Sequence, residues 1–238
     1  MRKQRPVLRR HINVSAVVLG AGLLVAGCSV GPVKMGSAAI VGNERITIAT
    51  LDTEVNNLSQ AAKQYQGTVQ LTAAQQTQQT LTWLVRFQIN EELARQNGIT
   101  VSTAEAQAAL ARIYAQAKAQ AEAQGIANPS LDLILVANGI PPNLAPEVGR
   151  YQAINDEFVK QANGGTVPAT TAEQALTTAK LKHAQCEAAK SLDIKINPQF
   201  GQMDYSQYQV ISAPSVVSRS AGPTPAPSSS PPVLTPAC

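Results

Sequence analysis

The sequence predicts a mainly helical domain that is completed by a small β element. Apolar residues recur at spacings of three and four along much of residues 51–190, and several of these stretches open with a capping-box pattern. Short extended runs stand at both ends of this helical region. Because strands of this length are not stable by themselves, we expect the N-terminal and C-terminal runs to pair across the whole domain.

The β element begins with a predicted hairpin. Ala38–Val41 and Arg45–Thr47 flank Gly42-Asn43-Glu44, which is a turn signal between two short extended runs. In Ile194–Ile196 apolar and polar residues alternate, which predicts a strand that pairs with this hairpin. A weaker extended segment follows at Tyr208–Ile211.

Six helices are expected between these strands. The clearest begins after Thr72, which forms a capping-box pattern with Gln75, and it ends at Asn97-Gly98, a left-handed stop. The other five are predicted from directly after Thr47 to about Gly67, from Ser102 to Gly125, from Pro129 to Asn138-Gly139, from Leu144 to Asn163, and from Thr170 to about Lys190.

The basic character of the chain comes from its N-terminus. The net charge is +4, but five of the 19 basic residues lie in residues 1–10, and no acidic residue precedes residue 28. Without residues 1–27, 14 basic side chains face 15 acidic ones, so the net charge is −1. A nucleic-acid-binding function therefore loses its main support in the composition, and we expect no nucleic-acid partner.

Residues 1–27 have the organisation of a signal peptide. A basic stretch is followed by the mostly apolar run Ile12–Leu24, which is too short and too rich in glycine for a permanent membrane span. Leu24–Cys28 resembles the bacterial lipobox, in which the cysteine thiol carries a diacylglycerol. This resemblance implies lipidation at Cys28, and hence a lipoprotein attached to the outer face of the cytoplasmic membrane. The alternative is that Cys28 is a small residue beside an ordinary cleavage site, and Arg9-Arg10 leaves both the Sec and twin-arginine routes open.

The rest of the chain divides into three regions. Residues 28–37 are expected to link the anchor to the domain, and residues 38–211 to form the folded body, because all nine aromatic residues lie between Tyr65 and Tyr208. Residues 212–238 hold seven of the 15 prolines and no aromatic residue, which predicts a disordered Pro/Ser-rich tail.

Two cysteines remain if Cys28 carries lipid. Cys186 and Cys238 would lie in an oxidising compartment, where a disulfide between them and two free thiols are both possible. His183 is the one histidine after residue 27, and no nucleophile, acid or base set can be assembled around it. His183 and Cys186 alone do not make a zinc site. We therefore predict a protein that is not an enzyme, with no catalytic residue, metal site or cofactor.

Three segments carry a family resemblance. Ala39–Thr47, the Asn97–Ser102 junction and the closing Asp193–Asp204 stretch resemble, in this order, the SurA N-terminal-domain lipoproteins of Gram-positive bacteria, which are relatives of the SurA and PrsA chaperone-foldases. The last segment is similar to V-x-V-N-P-R-F-G-x-W-D, with Gln199 in place of the arginine and Met203 in place of the tryptophan.

The resemblance implies a helical domain of the SurA/trigger-factor peptide-binding type, in which the N-terminal hairpin and the C-terminal segments close on each other. Relatives often carry a parvulin isomerase domain. Only residues 125–170 could hold one here, and their pattern predicts two helices, so we expect this domain to be absent.

The function that the resemblance implies is chaperone-like binding of exported or unfolded polypeptides. Apolar side chains lining a cradle between helices would bind them, and the candidates are Trp83, Phe87, Tyr114, Tyr151 and Phe158. Packing in the core is the alternative role for each of these aromatic residues. A structural or adaptor lipoprotein that docks one cell-envelope partner is the alternative function.

Overall fold

The computed structural model describes residues 35–212, which form six α-helices and five short strands. The helices are α1 (Ile48–Lys63), α2 (Ala73–Asn97), α3 (Thr103–Ala123), α4 (Leu131–Ala137), α5 (Ala145–Ala162) and α6 (Thr171–Ser191), with a 3-10 turn at Pro142–Leu144. The strands are β1 (Ser37–Val41), β2 (Glu44–Thr47), β3 (Ile194–Ile196), β4 (Gln202–Asp204) and β5 (Gln209–Ile211). The predicted mainly helical class is confirmed.

A three-stranded antiparallel sheet joins the two ends of the domain. Its order is β2-β1-β3, so that Val41 of the central strand pairs with Glu44 on one side and with Ile194 on the other. Just after β3, Asn197 donates its backbone N–H to the Ala38 carbonyl at 2.9 Å and its side-chain amide to the Ser37 carbonyl at 3.0 Å. The expected pairing of the N-terminal hairpin with a C-terminal strand is therefore confirmed.

A second hairpin, β4–β5, was not predicted from the sequence. The pattern indicated an extended segment at Tyr208–Ile211, but not that Gln202–Asp204 would pair with it in antiparallel register. Gly201, which precedes β4, has a φ of 130°, and a Cβ there would lie 2.1 Å from the Ile211 carbonyl oxygen. This close approach is open only to glycine.

Helix starts follow the local signals in the sequence. The predicted capping box at Thr72–Gln75 is formed, and capping boxes also open α3 at Ser102–Glu105 and α6 at Thr170–Glu173. In each box the hydroxyl accepts the backbone N–H three residues on, and the side chain of that residue accepts the N–H of the cap. At the other end of α2, Gly98 takes the left-handed conformation with a φ of 63°.

Helix α2 lies at the centre of the packing. The main core fills the space between the sheet, α1, α2, α5, α6 and β5; its most buried large side chains include Leu51, Leu81, Val85, Leu93 and Ile154. A second cluster gathers around α4 and the 3-10 turn, with Leu135, Ile140, Leu144 and Val148 buried. Leu84 of α2 packs against both clusters, so this helix connects them.

Helices α3 and α5 cross closely because Gly149 has no side chain. A Cβ at this position would lie 2.5 Å from the Ala106 carbonyl oxygen and 3.0 Å from the Leu110 Cβ. Next to the crossing, Arg150 forms a two-pronged ion pair with Glu91 of α2, with N–O distances of 2.5 and 2.8 Å. This ion pair links α5 to α2 beside the point where α3 and α5 cross.

Several predicted features lie outside the described residues. These are the signal peptide at residues 1–27, the lipidation site Cys28, most of the linker at residues 28–37, and the tail beyond Ser212 with Cys238. The domain boundaries drawn from the sequence stay predictions.

Candidate functional site

Three of the five candidate aromatic residues meet at one place. Trp83 and Phe87 are one turn apart on α2, and Tyr151 approaches both from α5. The ring centroids are 5.8 Å apart for Trp83 and Phe87, 5.9 Å for Trp83 and Tyr151, and 6.2 Å for Phe87 and Tyr151. All three rings are half-buried. We call these three residues the aromatic cluster.

Hydrogen bonds fix the cluster in the bundle. The indole N–H of Trp83 donates to the Asn138 carbonyl at 3.1 Å. The Tyr151 carbonyl accepts from the Asn90 side chain at 2.9 Å, and the Gln185 amide nitrogen of α6 lies 3.5 Å from the Tyr151 hydroxyl. The indole N–H, which usually needs a partner when it is buried, is therefore paired within the bundle.

Arg86 places a positive charge against this cluster. Its guanidinium carbon lies 5.2 Å from the centre of the Trp83 ring, within the range of a cation–π contact. The same guanidinium donates to the carbonyls of Tyr208 at 2.7 Å and Gln207 at 3.1 Å, in the turn between β4 and β5. Burial lowers the pKa of Arg86, and the nearby Tyr151 opposes that shift.

The other two candidate residues lie elsewhere. Phe158 is buried in the main core, which is the alternative role that the sequence left open for it. Tyr114 lies on α3 and donates its hydroxyl to the Pro129 carbonyl at 3.1 Å, which ties α3 to the start of α4. The five residues therefore do not line one cradle.

The structure also contains a groove that the sequence did not indicate. It lies between α3, α5 and the Gly98–Val101 connection, and its volume is about 620 Å³. We call it the α3–α5 groove. Its apolar lining residues include Ile99, Ala108, Ala109 and Ala153, together with Val167 from the α5–α6 loop, which is 77% exposed.

Charged residues of both signs also line the groove. Arg112 of α3 pairs with Asp156 of α5, and Lys160 lies 3.4 Å from Glu157 on the same helix. Glu105 also lines the groove, and its pKa is lowered because it accepts hydrogen bonds from the backbone and side chain of Ser102. The groove therefore offers apolar and polar surface in about equal parts, and the polar part includes charges of both signs.

Sequence reasoning missed this groove because small residues form it. Ala108, Ala109 and Ala153 lie where larger apolar side chains would fill the space between two helices. The one available signal was the alanine-rich composition of α3, which the sequence alone explains equally well by helix propensity.

Comparison with known protein families shows to which family the chain belongs. A family model described as a SurA-like N-terminal domain matches residues 6–124, which is half of the chain. The chain belongs to the SurA-like N-terminal domain family. No curated protein and no solved structure matches it.

The match places the chain in a chaperone-like family whose N-terminal domain is non-catalytic. Within the described residues, the matched part of the SurA-like domain runs from the start of β1 to the end of α3, and thus includes Trp83, Phe87 and one wall of the groove. The second wall, α5, lies after the matched residues.

Three further observations concern residues 35–212 of this SurA-like protein. No helix in this range is long and apolar enough to cross a membrane. No group of three or more His, Cys, Asp or Glu side chains in the same range is placed to hold a metal ion. Cys186, which is 5% exposed, is disulfide-bonded, and its partner lies outside the described residues.

Proposed function

We propose that this SurA-like protein binds extended segments of exported or unfolded polypeptides outside the cytoplasm, without carrying out chemistry on them. The observation that supports the proposal is the α3–α5 groove, whose lining combines apolar residues with charges of both signs, on a domain of a chaperone-like family.

The dimensions of the groove suit such a ligand. Its volume of about 620 Å³ falls in the range of sites that enclose a small ligand, which corresponds to a few side chains of a peptide. An extended segment would place apolar side chains against the exposed Ala108 and Val167, while the charged lining residues would meet its backbone and polar groups. Charges of both signs favour no single net charge of the client, which suits a broad range of sequences.

Val167 is the residue through which this proposal is best tested. It is 77% exposed at the edge of the groove, whereas Leu176 on α6 is 57% exposed and does not line it. A photo-crosslinking amino acid at position 167, in the full chain in its native host, should capture many exported polypeptides. The same amino acid at position 176 provides the background. A single dominant product at position 167 would support the adaptor function instead. Capture at position 167 that does not exceed capture at position 176 would contradict both functions.

A charge at the same position should weaken binding without affecting the fold. Val167→Asp places a carboxylate at the apolar edge, and Leu176→Asp is the matched exposed control. We expect the purified protein to slow the aggregation of an unfolded client at stoichiometric amounts, and we expect Val167→Asp to lose this effect while Leu176→Asp keeps it. If the two variants behave alike, the groove is not the client site.

Anchoring through Cys28 is the second part of the proposal. The support is the lipobox-like Leu24–Cys28 sequence behind a basic and apolar leader. Two acyl chains hold a protein stably on a bilayer, whereas one chain binds reversibly. A labelled fatty acid fed to the host should appear in the wild-type protein and not in Cys28→Ser. Label in both forms, or in neither, would contradict anchoring at Cys28.

A further inference from the structure

Arg86 carries a positive charge that no acidic side chain of residues 35–212 balances. Five arginines lie in this range, and three of them form ion pairs: Arg95 with Glu92, Arg112 with Asp156, and Arg150 with Glu91. Arg45 and Arg86 bond only neutral groups there, apart from the contact of Arg86 with the Trp83 ring. Of these two, only Arg86 is half-buried against the aromatic cluster, where a charge without a counter-charge is costly.

Two backbone carbonyls hold the Arg86 guanidinium in one orientation. Its Nε–H donates to the Tyr208 carbonyl at 2.7 Å, and Nη2 donates to the Gln207 carbonyl at 3.1 Å. A guanidinium has five N–H donors, so these bonds leave both hydrogens of Nη1 and one of Nη2 for a further acceptor. No residue of the described range accepts a hydrogen bond from Nη1. The free end of the guanidinium is therefore fixed before any ligand arrives.

The Tyr151 hydroxyl supplies a second donor beside the same indole ring. Its oxygen lies 3.5 Å from the Gln185 amide nitrogen, which is the donor in that contact, so the hydroxyl proton is not used there. No acceptor for this proton lies among residues 35–212. The Tyr151 ring is centred 5.9 Å from the Trp83 ring, and the Arg86 guanidinium lies 5.2 Å from the same ring. Two unused donors thus border one aromatic side chain.

We infer that the aromatic cluster binds an acidic side chain of a polypeptide, whose carboxylate accepts hydrogen bonds from Arg86 and from the Tyr151 hydroxyl. A carboxylate matches the paired donors at the end of a guanidinium and can accept further bonds. It also supplies the negative charge that the described chain does not place beside Arg86. The residues next to the acid would pack against the half-buried rings of Trp83 and Phe87, which an inorganic anion could not use.

This inference rests on the proposed binding of polypeptides, but not on the α3–α5 groove. The groove carries charges of both signs and favours no net charge of the client, whereas the cluster would add a preference for acidic segments. Crosslinking at position 167 tests the groove, and titration at Trp83 tests the cluster. Failure of one test while the other succeeds contradicts only the site that it concerns.

The acid preference is measured by calorimetric titration of the full chain with the blocked peptide acetyl-Ala-Leu-Glu-Leu-Ala-amide. The matched peptide has glutamine in place of glutamate, so the side chain holds the one carboxylate that differs. We expect the glutamate peptide to bind about tenfold more tightly, because hydrogen bonds to a charged group are the stronger ones. The emission of Trp83, the one tryptophan of the chain, should change over the same peptide concentrations. Equal affinities, or binding that leaves this emission unchanged, would overturn the inference.

Two substitutions assign the preference to its donors. Tyr151→Phe keeps the ring and removes the hydroxyl, and Arg86→Gln removes the charge. Each should lower the ratio of glutamate to glutamine affinity by about threefold or more, with the glutamine peptide little affected. Loosening of the cluster would weaken both peptides alike, so the ratio separates recognition from a structural role. Arg45→Gln, which alters the other arginine without an ion pair, should keep the wild-type ratio. An unchanged ratio in Tyr151→Phe and Arg86→Gln would overturn the inference.

A third peptide separates an acidic side chain from the end of a chain. The glutamine peptide with a free C-terminal carboxylate should bind no more tightly than its amide. If it binds as tightly as the glutamate peptide, the cluster recognises chain ends and the inferred ligand is wrong.

Discussion

The backbone N–H of Val210 donates to the side-chain hydroxyl of Thr82 at 2.9 Å, although 128 residues separate the two in sequence. Both residues are buried, so this bond forms away from water. Together with Arg86, which donates to the carbonyls of Gln207 and Tyr208, it fastens the β4–β5 hairpin to α2. A hairpin of three-residue strands is not stable by itself, and here a helix from the middle of the chain supplies the missing contacts.

Removing the Thr82 hydroxyl should therefore destabilise the domain. Thr82→Val keeps the shape of the side chain but leaves the buried Val210 N–H without this acceptor, at a cost of about 1–3 kcal/mol. Urea unfolding checks this value. Thr53→Val is the control, because Thr53 is exposed and its hydroxyl bonds only the Ala49 carbonyl one turn before, so that we expect a change within about 0.5 kcal/mol. Equal losses in the two variants would contradict the role given to Thr82.

The α3–α5 crossing predicts a second sensitive position. Gly149→Ala would bring a methyl group to 2.5 Å from the Ala106 carbonyl oxygen, so the helices must separate, with an expected loss of about 1–3 kcal/mol. Gly67→Ala is the matched control, because a Cβ there meets nothing within 4 Å, and restricting the unfolded chain adds about 0.4–1 kcal/mol. Thermal unfolding distinguishes the two. An unchanged midpoint for Gly149→Ala would show that the helices do not touch at this point.

The helices could be predicted because their start and stop signals are local. The capping boxes and Gly98 act over three or four residues, so the sequence alone places these ends. Helix α1 begins directly after Thr47, as predicted, but it ends at Lys63, before the predicted stop near Gly67. What sets that start is the Thr47 hydroxyl, which accepts the Thr50 N–H at 2.9 Å, a cap without a box partner.

The hairpin β4–β5 and the site depend on contacts distant in sequence. No sequence pattern near Gln202–Asp204 predicts a strand. The contacts that stabilise this hairpin come instead from Thr82 and Arg86 of α2, which are distant in sequence. Helical periodicity likewise identifies apolar faces without saying which neighbour covers each one. Trp83 and Phe158 therefore look alike in sequence, although one ring is half-buried in the aromatic cluster and the other lies in the main core.

The capping boxes predict how stability depends on pH. Backbone hydrogen bonds from Ser102 and Thr170, supported by their hydroxyls, lower the pKa of Glu105 and Glu173 in the folded protein. A lowered folded-state pKa stabilises the fold above the unfolded value of about 4.3, and this contribution is lost as the pH falls through the lower folded pKa. The melting temperature should therefore fall on acidification through this window.

Substitutions in the boxes check the sign of this effect. Glu105→Gln with Glu173→Gln should flatten the acid fall in melting temperature, because an amide caps without titrating, as Gln75 does at the start of α2. Gln75→Glu should steepen it, since it adds a third titrating box. Parallel pH profiles for these variants and the wild type would show that the boxes do not contribute to the acid response.

The placement of Phe158 and Tyr114 gives the last prediction. Phe158→Ala removes a ring from the main core and should cost about 3–5 kcal/mol, because the space left behind closes only in part. Tyr114→Phe removes only the hydroxyl that bonds the Pro129 carbonyl, a loss of about 0.5–1.5 kcal/mol. Chemical denaturation gives both values, and capture of polypeptides by a crosslinker at position 167 should be unchanged in Tyr114→Phe. If Phe158→Ala were as mild as Tyr114→Phe, its ring would not be part of the core, and it would return as a candidate for binding polypeptides.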